Sequence, residues 1–191
     1  MTLCFALFDT EIGACGVAWG ACGIRGVQLP EANAQMTRAR LRQRFLEARE
    51  APPNAAAKRA LEGIISLLRG ERIDLSALPL DMRFVPPFHR RVYEAARKIA
   101  PGTTTTYGEL AGQIGAQAAA RAVGQALARN PFALIVPCHR VIAANGQMGG
   151  FSANGGKATK RRLLAIEGVN QIDAHTHPRE RGLAAARQGA A

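Results

Sequence analysis

Cys138 and His139 stand side by side in the run Pro137-Cys138-His139-Arg140-Val141. A cysteine attacks as its thiolate, so a nucleophilic Cys138 needs a neighbour that lowers its pKa or takes its proton. His139 is an adjacent base, and Arg140 adds positive charge. Adjacency is not geometry. On a strand the two side chains point to opposite faces, whereas a tight turn or a bridging water lets them cooperate. Pro137 predicts an extended or turn backbone here. The segment Phe132-Ala-Leu-Ile-Val136 is apolar and predicts a buried extended stretch, which makes an ordinary core thiol the rival reading of Cys138. From this run alone both stand.

Charge narrows the choice. The chain carries 25 Lys and Arg against 14 Asp and Glu. Residues 1–82 hold 10 basic and 9 acidic side chains, residues 83–170 hold 12 and 3, and residues 171–191 hold 3 and 2. A basic, foldable second half points to a polyanion, nucleic acid first. A basic proteome is the bland explanation of the same excess. The first residues lack the basic start of a secretory leader, and no apolar run approaches the ~18 residues of a membrane span. The expectation is a soluble cytoplasmic protein whose four cysteines, Cys4, Cys15, Cys22 and Cys138, are reduced.

The elements that must position these residues fall into an α/β fold. A small N-terminal α/β domain, 1–82, precedes a mostly helical domain, 84–170, and a flexible tail, 171–191. Cys4–Phe8, Cys15–Trp19 and Ile24–Leu29 are short apolar runs broken by glycines, as in a short antiparallel sheet. A helix is predicted from Arg38 to Ala48 with Thr37 as N-cap, and a second one capped by Asn54 and stopped by Gly70. Phe84-Val-Pro-Pro87 marks the domain boundary. Phe88–Ala100 is predicted as a helix. Thr106-Tyr-Gly-Glu109 matches a capping box opening a helix to Ile114, and Gln117–Ala128 is a further, Ala-rich helix. Helix, glycine-containing turn and helix give the outline of a helix-turn-helix. Val141-Ile142 and Asn145-Gly146 suggest a strand and a type I′ turn. Lys160–Glu167 forms the last helix.

Several of these segments together resemble one family. Arg121-Ala-Val-Gly124, Arg129-Asn130-Pro131 and Pro137-Cys-His-Arg-Val-Ile142 strongly resemble the O6-alkylguanine-DNA alkyltransferases, also called methylated-DNA–protein-cysteine methyltransferases. The likeness extends to Phe88–Tyr93, Pro101-Gly-Thr103, Tyr107–Ala111, Gly149-Gly-Phe-Ser152 and Leu163–Gly168. It is dense over residues 84–169. The resemblance implies that Cys138 takes an alkyl group from guanine O6, once and irreversibly, and keeps it. It implies that His139 deprotonates Cys138 through a water and that Glu167, about 28 residues on, orients His139. Asn130 would brace the active-site turn, and Tyr107 would help turn the nucleotide and offer its hydroxyl near O6. Arg121 would fill the space left by the flipped base. The family presses this helix into the minor groove, where small residues such as Ala118, Ala122 and Gly124 allow close approach. Thr103, Arg129, Arg140 and Lys160 are taken as further DNA contacts. Pro137, Val141, Phe151 and Ser152 are taken as pocket walls.

The chain departs from the family pattern in places. Some members hold zinc through two Cys and two His. Here no His precedes His89, so Cys4, Cys15 and Cys22 are a poor match to a tetrahedral site, and neither metal nor cofactor is expected. Phe151 stands where many relatives have Tyr. His175 and His177 are taken as plain tail residues. The expected partner is double-stranded DNA containing O6-alkylguanine, or O4-alkylthymine, bound by a monomer with no membrane contact. Two rival functions remain. A non-catalytic binder of alkylated DNA would lack the acceptor cysteine. A helix-turn-helix regulator would want Arg, Asn or Gln where this helix has Ala.

Overall fold

The computed structural model describes residues 2–169; the expected tail, with His175 and His177, lies outside them. Three strands open the chain as a meander: β1 (Cys4–Thr10), β2 (Gly13–Gly20) and β3 (Gly23–Gln28). Two-residue turns join them, closing with Thr10 opposite Gly13 and Gly20 opposite Gly23. Gly13 and Gly23 sit at φ +123° and +119°, a region that L side chains rarely adopt.

Helix α1 (Ala34–Arg44) starts four residues before the predicted first residue, because Asn33, not Thr37, is the cap; its side chain accepts from Met36 N–H. Thr37 is buried, its hydroxyl donating to Asn33 O and accepting from Glu31 N–H. Leu41 fits a slot over Gly16, where a Cβ would lie 2.2 Å from Leu41 Cδ1. The helix stops before Phe45, and β4 (Arg49–Glu50) then runs parallel beside β1, giving the sheet order β3-β2-β1-β4. Helix α2 (Ala55–Leu68) is capped by Asn54 as expected and lays Ala57, Ala60, Ile64 and Leu67 on the core.

The second half is helical. α3 (Pro87–Ala96) ends a turn earlier than predicted, giving way to turns before Gly102 at φ +77°. β5 (Thr105–Thr106) leads into α4 (Tyr107–Gln113), whose capping box of Thr106 and Glu109 is present in full. α5 (Ala120–Ala128) is shorter than Gln117–Ala128, so Ala118 lies in the turn ahead of it. β6 (Val141–Ile142) pairs with β5 in parallel, and α6 (Lys157–Ile166) begins three residues earlier than expected. Residues 132–136 are not extended. Val136 N–H donates to Phe132 O, and Leu134 takes φ +70°, so this apolar run is a buried loop. At Asn145-Gly146 only the glycine has positive φ, which excludes a type I′ turn.

One contiguous core spans the two halves, from Phe8, Trp19 and Ile64 to Tyr93, Phe132 and Leu163. Backbone joins them as well: Val27 N–H donates to Pro131 O at 2.8 Å. The loop that leads to Cys138 therefore hangs on the edge of the N-terminal sheet. No helix among the described residues is long and apolar enough to cross a membrane.

Candidate active site

Pro137, at φ −80° and ψ 66°, makes an inverse γ-turn in which Cys138 N–H donates to Val136 O at 2.8 Å. The chain then winds into one 3-10 turn, Cys138–Arg140. Successive side chains on such a turn diverge by about a third of a circle. Cys138 meets a cavity, while His139 and Arg140, 1% and 5% exposed, enter the interior. Asn130 holds the loop closed, its amide donating to Val136 O at 2.8 Å and its carbonyl accepting from Phe132 N–H at 2.9 Å.

Glu167 ends α6 and collects the buried charges. His139 Nε2 lies 2.8 Å from its Oε1, and Arg140 donates to both oxygens at 2.8 and 2.9 Å. Arg140 also donates to Ile99 O, and Gly102 N–H to Glu167 Oε2. Burial pushes the Glu167 carboxyl up, but the bonds from His139 and Arg140 outweigh it and hold the pKa at about 2. Burial lowers the His139 pKa against the opposing pull of Glu167, which favours the neutral ring. With Nε2 on the carboxylate, Nδ1 carries the lone pair. It is buried and, among the described residues, has no hydrogen-bond partner.

The Cys138 thiol is pushed up by burial. The Asn130 amide, the Lys160 charge and the N–H groups of Cys138 and His139 pull it back. Lys160 is 0% exposed; its Nζ donates to Val141 O at 2.6 Å and lies 5.9 Å from the Tyr107 ring centre. Burial brings its pKa down to about 8, opposed by Cys138.

The cavity beside Cys138 measures about 760 Å³. Tyr107, Arg121, Gly124, Phe151 and Ser152 line it, all named by the sequence; Gln125, Leu127, Ala128, Ala143 and Ala144 were not. Gln125 sits four residues after Arg121 on one helix face, a spacing that could have found it. Tyr107 nests between two glycines. A Cβ on Gly149 would lie 2.8 Å from its hydroxyl, and one on Gly124 3.7 Å from its ring.

Other expected residues fall elsewhere. Thr103, Ala118 and Arg129 are exposed and Ala122 is half-buried, none of them on this cavity. Pro137 and Val141 are buried in the turn and in β6. Arg140 and Lys160 are corrections. Both are buried and held by Glu167 or a backbone carbonyl, so neither reaches a phosphate.

Residues 87–169 match the family model described as the DNA-binding domain of 6-O-methylguanine DNA methyltransferase. A methylated-DNA–protein-cysteine methyltransferase of Methanothermobacter thermautotrophicus is 35% identical over 81% of this chain and 80% of its own. The crystal structure of Mycobacterium tuberculosis OGT in complex with DNA superposes with a TM-score of 0.70 at 34% identity, covering 86% of this chain and 92% of that one. A Thermus thermophilus DNA base-flipping protein is 43% identical over 60% of this chain and 76% of its own. Likeness that covers both halves, and not only the DNA-binding part, places this chain in the methylated-DNA–protein-cysteine methyltransferase family.

Proposed function

We propose that the protein repairs DNA by direct reversal, moving an alkyl group from guanine O6 to Cys138 in a single, irreversible turnover. The observation that carries the reading is the pairing of a half-buried thiol at the wall of a large apolar cavity with a buried, Glu167-bound histidine next to it in the turn. The thiol at rest keeps its proton. A water relays that proton to His139 Nδ1 as sulfur attacks the alkyl carbon in line. The S–C bond forms as the C–O6 bond breaks, and guanine leaves with the bonding pair and takes a proton. The buried Glu167 carboxylate stabilises the imidazolium that results, as the third group of a triad does. The Tyr107 side chain on the cavity wall and the buried Lys160 charge, 5.9 Å from its ring centre, offset the negative charge on the departing base.

The base must leave the helix to reach this thiol, at a cost of a few kcal/mol. Arg121, exposed at the second position of α5, fills the space it vacates. Small residues around it, Ala118, Ala122 and Gly124, let the helix enter a minor groove, while Thr103 and Arg129 contact the backbone. Residues 84–170 thus form the DNA-binding and acceptor unit, and 1–82 support it. A cytoplasmic setting, with all four cysteines reduced, fits this chemistry. The Thermus relative, named a DNA base-flipping protein, fits the flipping step, and against a non-catalytic reading stands the acceptor Cys138 itself.

Incubation with a duplex oligonucleotide containing O6-methylguanine should add one methyl group to the intact protein at Cys138, in a one-to-one ratio. Cys138→Ser should bind the duplex and gain nothing. Multiple turnovers, or methyl on another residue, would overturn the mechanism.

A further inference from the structure

Helix α5 carries Arg121 and much of the cavity wall, yet little fixes its direction. It has no side-chain cap at its N-terminus, and the residues it buries are Val123, Ala126 and Leu127. Apolar contacts are non-directional; they hold a helix close without fixing its rotation or its axial position. A buried hydrogen bond does fix them, because its geometry is narrow. Tyr93 of α3, 1% exposed, donates its hydroxyl to Ala126 O at 2.9 Å. Among the described residues this is the one side-chain hydrogen bond that α5 receives. Burial first, and then the charge of Cys138, push the phenol pKa up, so Tyr93 keeps the proton it donates.

The same side chain bears on the nucleophile loop. Its ring centre lies 6.2 Å from that of Phe132, edge to face at 84°, a favourable aromatic pairing. Phe132 is itself pinned, its N–H donating to Asn130 Oδ1 and its carbonyl accepting from Val136 N–H. Tyr93 therefore holds both ends of the segment 126–132, with its hydroxyl at the α5 end and its ring at the loop end. Between those ends stand Leu127 and Ala128 of the cavity wall, and Asn130, whose amide closes the Cys138 turn.

Resting on the alkyl-transfer reading, we propose that Tyr93 is a positioning residue for transfer from duplex DNA, setting α5 at a fixed offset from the Cys138 turn. It does not line the cavity and acts through its neighbours. When Arg121 fills the stack, the displaced base must arrive with its alkyl carbon in line with the sulfur. A misplacement of about 1 Å can cost on the order of 100-fold in rate. Arg121 stands on α5 and the sulfur on the turn, so the offset between them is what the Tyr93 hydroxyl fixes. A base in a single strand needs no displacement and is indifferent to that offset.

Tyr93→Phe removes the hydroxyl and keeps the ring on Phe132. Single-turnover methyl transfer is read by intact mass on the full chain, from O6-methylguanine in a duplex and in a single strand. The duplex rate should fall about tenfold, while the single-strand rate and the alkylation of Cys138 by iodoacetamide stay within about twofold of the parent. The duplex defect should also disappear beside Arg121→Ala, the double variant matching Arg121→Ala within about twofold, because the two residues serve one step. Equal slowing on duplex and single strand would overturn the positioning role, since it marks a general loosening of the turn. Additive losses with Arg121→Ala would overturn it too, as would an unchanged duplex rate in Tyr93→Phe. A parent protein that takes methyl from neither oligonucleotide would overturn the repair reading, and the positioning role with it; parent transfer beside an unaffected Tyr93→Phe sinks the positioning role alone.

Discussion

Cys15 and Cys138 are both withdrawn from water, and burial raises the pKa of both. Cys15 lies in β2 opposite Phe8, fully buried, its sulfur 3.7 Å from the Thr10 hydroxyl, and its pKa is pushed up to about 12. Cys138 sits on a 3-10 turn, where an amide, a lysine and two backbone N–H groups work against the same desolvation. A strand aims its N–H groups along the ladder, whereas this tight turn brings the N–H groups of Cys138 and His139 against the sulfur, the first of them while also donating to Val136 O. Burial is common to the two thiols. What separates them is polar groups held by a loop against the sulfur, with a base behind.

Removing Glu167 breaks that difference hardest. Glu167→Gln leaves Arg140 buried without a counter-charge, which costs about 3–5 kcal/mol. It also deprives His139 of the carboxylate that stabilises its charged form, and transfer should slow about 100-fold. The pH dependence has a definite sign. The folded pKa of about 2 lies below the ordinary 4.5. The stabilisation is therefore complete above about pH 4.5 and lost as pH falls towards 2, with an upper bound of about 3 kcal/mol. Urea denaturation between pH 7 and pH 2 should show this slope in the parent protein and a flatter one in Glu167→Gln. Unchanged transfer in a folded variant would detach the triad from the reaction.

The two regions were not equally legible. The hairpin strands, the Asn54 cap and the Thr106 capping box follow from alternation and cap chemistry, which act over a few residues. The start of α1 was missed because only Thr37 and Leu41 of that helix are buried, too few to show a period. Phe132–Val136 looked extended because an apolar run reports burial and not conformation; the loop instead turns at Leu134. Cys138, His139 and Glu167 were found by resemblance, since no local rule links residues 28 apart. Arg140 and Lys160 were taken as DNA contacts, because a resemblance in sequence does not show whether a cation is paired and buried or solvated. Residues 1–82 are nearly neutral, yet Arg38, Arg40, Arg42 and Arg44 share one helix.

A smaller effect sharpens the contrast between the thiols. Lys160→Met removes the cation nearest in effect to Cys138 and leaves Val141 O without its donor, a loss of about 1–3 kcal/mol. Without that charge the thiolate is less favoured. The pH profile of Cys138 alkylation by iodoacetamide should move upward, with the rate at neutral pH falling about tenfold. Cys15, followed in the same mass spectra, should stay unmodified throughout. An unmoved profile would mean that the lysine serves packing alone.

The smallest effect is expected at Cys15 itself. Cys15→Ala takes one sulfur from a packed sheet, and a cost of about 1–2 kcal/mol in urea denaturation is in proportion to the small volume removed. Methyl transfer should not change. The result is not trivial, because the two thiols are mechanically joined. β2 carries β3, and Val27 of β3 holds Pro131 by its N–H, one residue from the Asn130 that braces the Cys138 turn. If relaxing the sheet at Cys15 loosened that brace, transfer would slow along with the stability loss. An unchanged rate would show instead that the loop from Asn130 to Val136, closed by its own side-chain hydrogen bonds, sets the geometry of the nucleophile by itself.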